Sequence, residues 1–131
     1  MDLDLDGKKV VITGGSKGIG LGCALALARE GCDLQIAARD QGTLALAEAQ
    51  IRESVHGVTV VSHSVDLSQT RDQMALLDAV GDVDIWVNNA GAIPAGDIAT
   101  IGESQWRSAW DLKVFGYINL CREVYPRMIA R

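Results

Sequence analysis

Three glycines define the chemistry open to this chain. Gly14, Gly18 and Gly20 follow the apolar run Val10-Val11-Ile12-Thr13, with Ser16 and Lys17 set between them and Ile19 within the last pair. A helix that begins at such a turn aims its unpaired N–H groups, and the positive end of its dipole, at whatever the turn holds. Glycines let that backbone approach a pyrophosphate without a Cβ in the way. The pattern is therefore the strand–turn–helix of a dinucleotide-binding unit. Its spacing is G-x-x-x-G-x-G rather than G-x-G-x-x-G, and no Gly-Lys-Ser/Thr closes the run as a P-loop would require.

Strands and helices must bring the remaining candidates to that turn. Lys8 to Thr13 reads as a first strand, followed by a helix from about Ile19 to Glu30 that buries Ile19, Cys23, Ala26 and Leu27 and stops at Gly31. Leu34 to Ala38 is a second strand, leading through Arg39 and Asp40 to a helix with Leu44, Ala47, Ile51 and Val55 on one face. Val58 to Val65 is a third strand. Asp66-Leu67-Ser68 then opens a third helix, with Ser68 as N-cap and Met74, Leu77 and Val80 inward. Asp84 to Val87 is a fourth strand, which runs into Asn88-Asn89-Ala90-Gly91. After a loop with Pro94 and Gly96, a long helix starts near Glu103. Thr100 and Glu103 stand at capping-box spacing, and Pro126 is expected to bend or end that helix.

Four alternations of strand and helix predict a doubly wound parallel α/β sheet with helices on both faces. The usual winding orders the strands 3-2-1-4. Gly14–Gly20 and Asn88–Gly91 then meet at the switch point between strands 1 and 4, where ligands bind in such sheets.

Composition narrows the classes further. A chain of 131 residues with 48% hydrophobic and 22% charged residues forms one globular domain, residues 1–131. Its longest apolar stretch, Ile19 to Ala28, falls short of the roughly 20 residues that span a bilayer, so no membrane is expected. The acidic Asp2, Asp4 and Asp6 do not suit the basic start of a signal peptide, and a cytoplasmic location is expected. A net charge of −5 argues against nucleic acid as partner. Cys23 and Cys121 read as buried small hydrophobes, and the separated His56 and His63 as no metal site; His63 reads as a polar strand residue.

Thr13-Gly14-Gly15-Ser16-Lys17-Gly18-Ile19-Gly20, Asp66 and Asn88-Asn89-Ala90-Gly91 together resemble the short-chain dehydrogenase/reductase family, over nearly the whole chain. The resemblance implies a Rossmann-like, three-layer domain and an oxidoreductase that moves hydride between nicotinamide and a small alcohol or carbonyl substrate. It also implies that Gly14, Ser16, Lys17, Gly18, Ile19 and Gly20 surround the cofactor, with Arg39, Leu67, Asn89, Ala90 and Gly91. Asp66 would accept a hydrogen bond from the adenine amino group, set against the plainer reading that it starts a turn. NAD enzymes of this architecture usually carry an acid at the end of strand 2. Ala38 stands there instead, and Lys17 and Arg39 match basic positions of NADP-preferring relatives, so NADP(H) is expected over NAD(H). Asp40 is the one charge set against it.

Two departures qualify the resemblance. Family members use a Tyr-x-x-x-Lys pair with an earlier Ser, but Tyr117 is followed four residues later by Cys121, and Tyr125 by Ile129. Those groups would fall beyond Arg131, so the domain is expected to be incomplete on its C-terminal side and inactive alone, with no catalytic residue assigned. The alternative is a non-catalytic NADP(H)-binding or interaction module. Lys113 also stands where many relatives place an Asn. It could hold water or depress a tyrosine pKa, or it could snorkel to solvent. The stripe Trp106, Trp110, Tyr117, Leu120 and Val124 should be partly core and partly the contact of a homo-oligomer. An unpaired edge on strand 4 points the same way, toward oligomers or aggregates.

Overall fold

The computed structural model describes residues 2–131. Its four strands are β1 Lys9–Thr13, β2 Asp33–Ala38, β3 Val60–Ser64 and β4 Ile85–Val87. They form one parallel sheet in the order β3-β2-β1-β4, as the winding argument expects. Between them run α1 Gly18–Arg29, α2 Gln41–Ser54 and α3 Thr70–Val80. The last helical stretch has three parts: α4 Glu103–Trp110, a π-helical turn over Asp111–Phe115, and α5 Gly116–Ile129.

Strand residues alternate between the two faces, and this divides the core. Val10, Ile12, Leu34 and Ile36 pack with Ala24 and Ala28 of α1 and Leu44 and Ile51 of α2. Val11 and Ala37 pack on the other side with Leu76, Leu77 and Val80 of α3 and Leu120 and Val124 of α5. The result is the three-layer arrangement, with β4 at one edge and Ile85, Trp86 and Val87 only half-buried.

Several local expectations are corrected. The fully buried face of α1 is Gly20, Ala24 and Ala28, not Ile19, Cys23, Ala26 and Leu27. Small residues four apart let the helix lie close on the sheet, while Leu21, Cys23, Leu25 and Leu27 flank the contact half-buried. Ile19 is 80% exposed. Ser68 does not cap α3, which begins at Thr70; its Oγ donates to Asp66 Oδ1 at 2.7 Å. Thr100 and Glu103 form no capping box. Thr100 pairs with Asp97, and Gly102 N–H donates to Gln105 Oε1 at 3.0 Å. α5 continues through Pro126 to Ile129. Cys32 is buried, but Cys121 is exposed and accepts a hydrogen bond from Asn88 Nδ2 at 3.2 Å.

His63 is a polar strand residue, its Nε2 2.7 Å from Gln35 Oε1. Among the described residues no helix is long and apolar enough to cross a membrane, and no cluster of acids, His and Cys could hold a metal.

Candidate functional site

A cleft of about 450 Å³ opens at the carboxyl ends of β1 and β4. Its floor is the glycine turn, and close packing dictates the residues there. Gly14 has φ +68°, and a Cβ on it would stand 2.9 Å from Ala90 Cα and from Asn89 Nδ2. A Cβ on Gly20 would overlap the Gly14 carbonyl oxygen and lie 2.5 Å from Asn89 Nδ2. Gly18, at φ +56°, has open space around it, so its demand is conformational. α1 then starts with Lys17 as N-cap, and no side chain bonds its first N–H groups. Those donors remain for a ligand.

Thr13 and Asn89 join the turn to the end of β4. Thr13 Oγ1 donates to Val87 O at 3.2 Å and accepts from the N–H groups of Asn89 and Ala90 at 3.0 and 3.1 Å. Asn89 Nδ2 donates to Thr13 O at 3.1 Å and to Gly14 O at 3.0 Å. Thr13 is not among the sequence-assigned site residues; its signal is a hydroxyl at the end of a buried β-branched run. The main chain of the floor is thereby held before any ligand arrives.

The far wall follows β2. Ala38, Arg39, Asp40 and Thr43 line it. Asp40 caps α2, accepting from Thr43 N–H at 2.7 Å. Hydrogen bonding from Thr43 first, and then the nearby Lys17 charge, hold its carboxyl below the ordinary value. Among the described residues neither Lys17 nor Arg39 is in an ion pair.

Of the sequence-assigned residues, Gly14, Ser16, Lys17, Ile19 and Arg39 line this cleft, with Leu67, Asn89, Ala90 and Gly91. The exposure of Ile19 is thus exposure to the cleft. Gly18 and Gly20 shape the turn without lining the cleft. Asp66 lines an adjoining hollow of about 390 Å³, which shares Arg39, Ala92 and Leu112 with the first. Its Oδ1 accepts from Ser68 N–H at 3.0 Å and from the Ser68 hydroxyl, so the turn role is present. Leu67 is held where it is by Gln73 Nε2, which donates to its carbonyl at 2.9 Å, and by Gly116, whose Cβ would stand 3.0 Å from that oxygen.

Leu112 is a lining residue that sequence reasoning missed, because the π turn carrying it has no periodic signature. In the same turn, Lys113 lies against Gly91, its Nζ 3.5 Å from where a Cβ on Gly91 would be. Tyr117 is half-buried, and burial pushes its phenol above the ordinary 10.0, which disfavours the phenolate. The cleft offers free helix N–H groups, two cations and an apolar wall.

Comparison with known proteins gives a consistent answer. The family model described as short chain dehydrogenase matches residues 8–131. The uncharacterized oxidoreductase YvrD of Bacillus subtilis is 33% identical over all of this chain and half of its own length. L-sorbose reductase from Gluconobacter frateurii, solved with NADPH and L-sorbose, superposes with a TM-score of 0.91 at 36% identity, covering 100% of this chain and 51% of that one. A short chain dehydrogenase/reductase from Burkholderia phymatum, solved with NAD, gives 0.86 at 30% identity, covering 98% and 46%. The chain spans about half the length of most of the curated relatives it matches, and a tenth of the glycine betaine reductase of Emericella nidulans.

Proposed function

This chain belongs to the short chain dehydrogenase family, and from that premise we propose that its cleft binds NADP(H) in preference to NAD(H), for hydride exchange between the cofactor and a small alcohol or carbonyl compound. The observation that carries the reading is the glycine turn. Gly14 and Gly20 leave no room for a Cβ, yet the mouth of α1 stays uncapped and opens on the cleft. A turn that served only to stop a strand would not need both features.

The residues fit a dinucleotide. The cleft volume lies within the roughly 300–1,000 Å³ usual for small-molecule sites. The N–H groups at the start of α1 and the nearby Ser16 would hold the pyrophosphate. Leu67 and Val65 would flank the adenosine half, with Asp66 in reach of its amino group, and Asn89, Ala90 and Gly91 would lie beside the nicotinamide ribose. A bound nicotinamide supplies hydride chemistry at its C4 carbon. The chain's own part is to orient that ring and to keep the turn rigid through Thr13 and Asn89.

Preference for NADP(H) rests on charge. Ala38 presents no acid to a 2′-phosphate, and Lys17 and Arg39 line the same cleft. Each charge-assisted hydrogen bond contributes about 1.5–3 kcal/mol, enough for tenfold selectivity or more. Asp40 is the charge set against it: its carboxylate caps α2 and stays ionised beside Lys17. Fluorescence titration with NADPH and NADH tests the preference: NADPH should bind at least about tenfold more tightly, and equal affinities would overturn the charge argument.

A further inference from the structure

We propose that Lys113 is a cofactor ligand: on the reading that the cleft holds NADP(H), its ammonium contacts an oxygen of the nicotinamide mononucleotide half. The starting point is the π turn. Gly116 N–H bonds to Asp111 O, five residues back, so one residue more than usual is wound between α4 and α5. Single π turns of this kind occur mostly as insertions in α-helices, often at functional sites. The insertion sets Leu112 into the wall between the two hollows.

Lys113, the next residue, is exposed as a whole, yet its side chain lies along Gly91. Its Cδ, Cε and Nζ lie 3.4, 3.8 and 3.5 Å from the position of a Cβ on Gly91. Gly91 lines the cleft, so the ammonium stands at the rim where the floor ends. Among the described residues Lys113 has neither an ion pair nor a side-chain hydrogen bond, although the chain carries 17 acids to 12 bases. An ammonium has three donors and no acceptor, so it fits hydroxyl or phosphate oxygens. Lys17 lies in the glycine turn and Arg39 on the β2 wall. Lys113 supplies the cation at the Asn89–Gly91 end, which a nicotinamide mononucleotide half would occupy.

The test compares NADPH with adenosine 2′,5′-bisphosphate, which lacks that half, on the wild-type chain and on Lys113→Met and Lys113→Arg. Lys113→Met should weaken NADPH about tenfold and leave the bisphosphate unchanged, with an unchanged melting temperature. Lys113→Arg should recover most of the loss. Equal NADPH affinity in Lys113→Met, or equal weakening of both ligands, would overturn the proposal. So would Lys113→Arg behaving as Lys113→Met. A wild-type chain that binds neither ligand would instead remove the cofactor reading, and this assignment with it.

Discussion

Thr13 accepts two hydrogen bonds from Asn89, 76 residues away: Asn89 N–H donates to Thr13 Oγ1 at 3.0 Å, and Asn89 Nδ2 donates to Thr13 O at 3.1 Å. The same amide nitrogen reaches Gly14 O at 3.0 Å. Two loops that would otherwise fray are therefore one rigid floor, and Asn89→Ala should leave main-chain carbonyls there without partners. The expected cost is about 1–3 kcal/mol, read as a lower midpoint in urea. An unchanged midpoint would mean that water replaces the amide at no cost.

Gly20→Ala should be at least as damaging, because its Cβ has the Gly14 carbonyl on one side and Asn89 Nδ2 on the other. Overpacking of this kind costs about 1–3 kcal/mol. Gly18→Ala meets no such neighbour, and only the left-handed φ of +56° opposes it. Thermal melts of the two variants should rank Gly20→Ala below Gly18→Ala.

Arg39→Asp should invert the cofactor preference. It removes the cation of the β2 wall, leaving only Lys17 of the glycine turn, and puts a carboxylate where a 2′-phosphate would lie. NADPH affinity should fall at least about tenfold relative to NADH. A parallel fall for both cofactors would point to damage to the wall instead.

His63 gives a pH signature. Burial lowers its pKa below the ordinary 6.5, so the unfolded chain binds the proton more readily than the folded one. Stability from this group is full above pH 6.5 and is lost as the pH falls from there, until folded His63 is itself protonated. Melting curves of wild type and His63→Gln should therefore converge or cross as the pH is lowered through 6.5. A constant difference between them would show that His63 does not titrate differently on folding.

The last helical stretch leaves Trp106, Trp110 and Phe115 exposed at 36%, 55% and 50%. On the proposal that this helix carries a contact between copies of the chain, that apolar surface would be covered. Trp110→Glu should shift sedimentation toward the monomer, while a wild-type chain that already sediments as a monomer would contradict the expectation.

Legibility in the sequence followed the length scale of the signal. Strand order and the meeting of Gly14–Gly20 with Asn88–Gly91 were readable, because alternation of β-branched runs with amphipathic helices leaves few topologies. Details decided by tertiary contact were not. The inward face of α1 went to Ala24 and Ala28 because the sheet accepts only small residues there, whereas apolar spacing alone favoured Cys23 and Leu27. Ser68 turned back to Asp66, and Thr100 to Asp97, because short polar side chains have local partners as good as a helix end. The π turn that places Leu112 and Lys113 has no periodicity to read.

The central claim is that the uncapped mouth of α1 receives a dinucleotide pyrophosphate, and a crystal structure of the chain grown with NADPH tests it most directly. The account predicts phosphate oxygens within hydrogen-bond reach of the main-chain N–H groups between Ser16 and Gly20. Nucleotide bound away from that turn, with the turn closed by its own side chains, would contradict it.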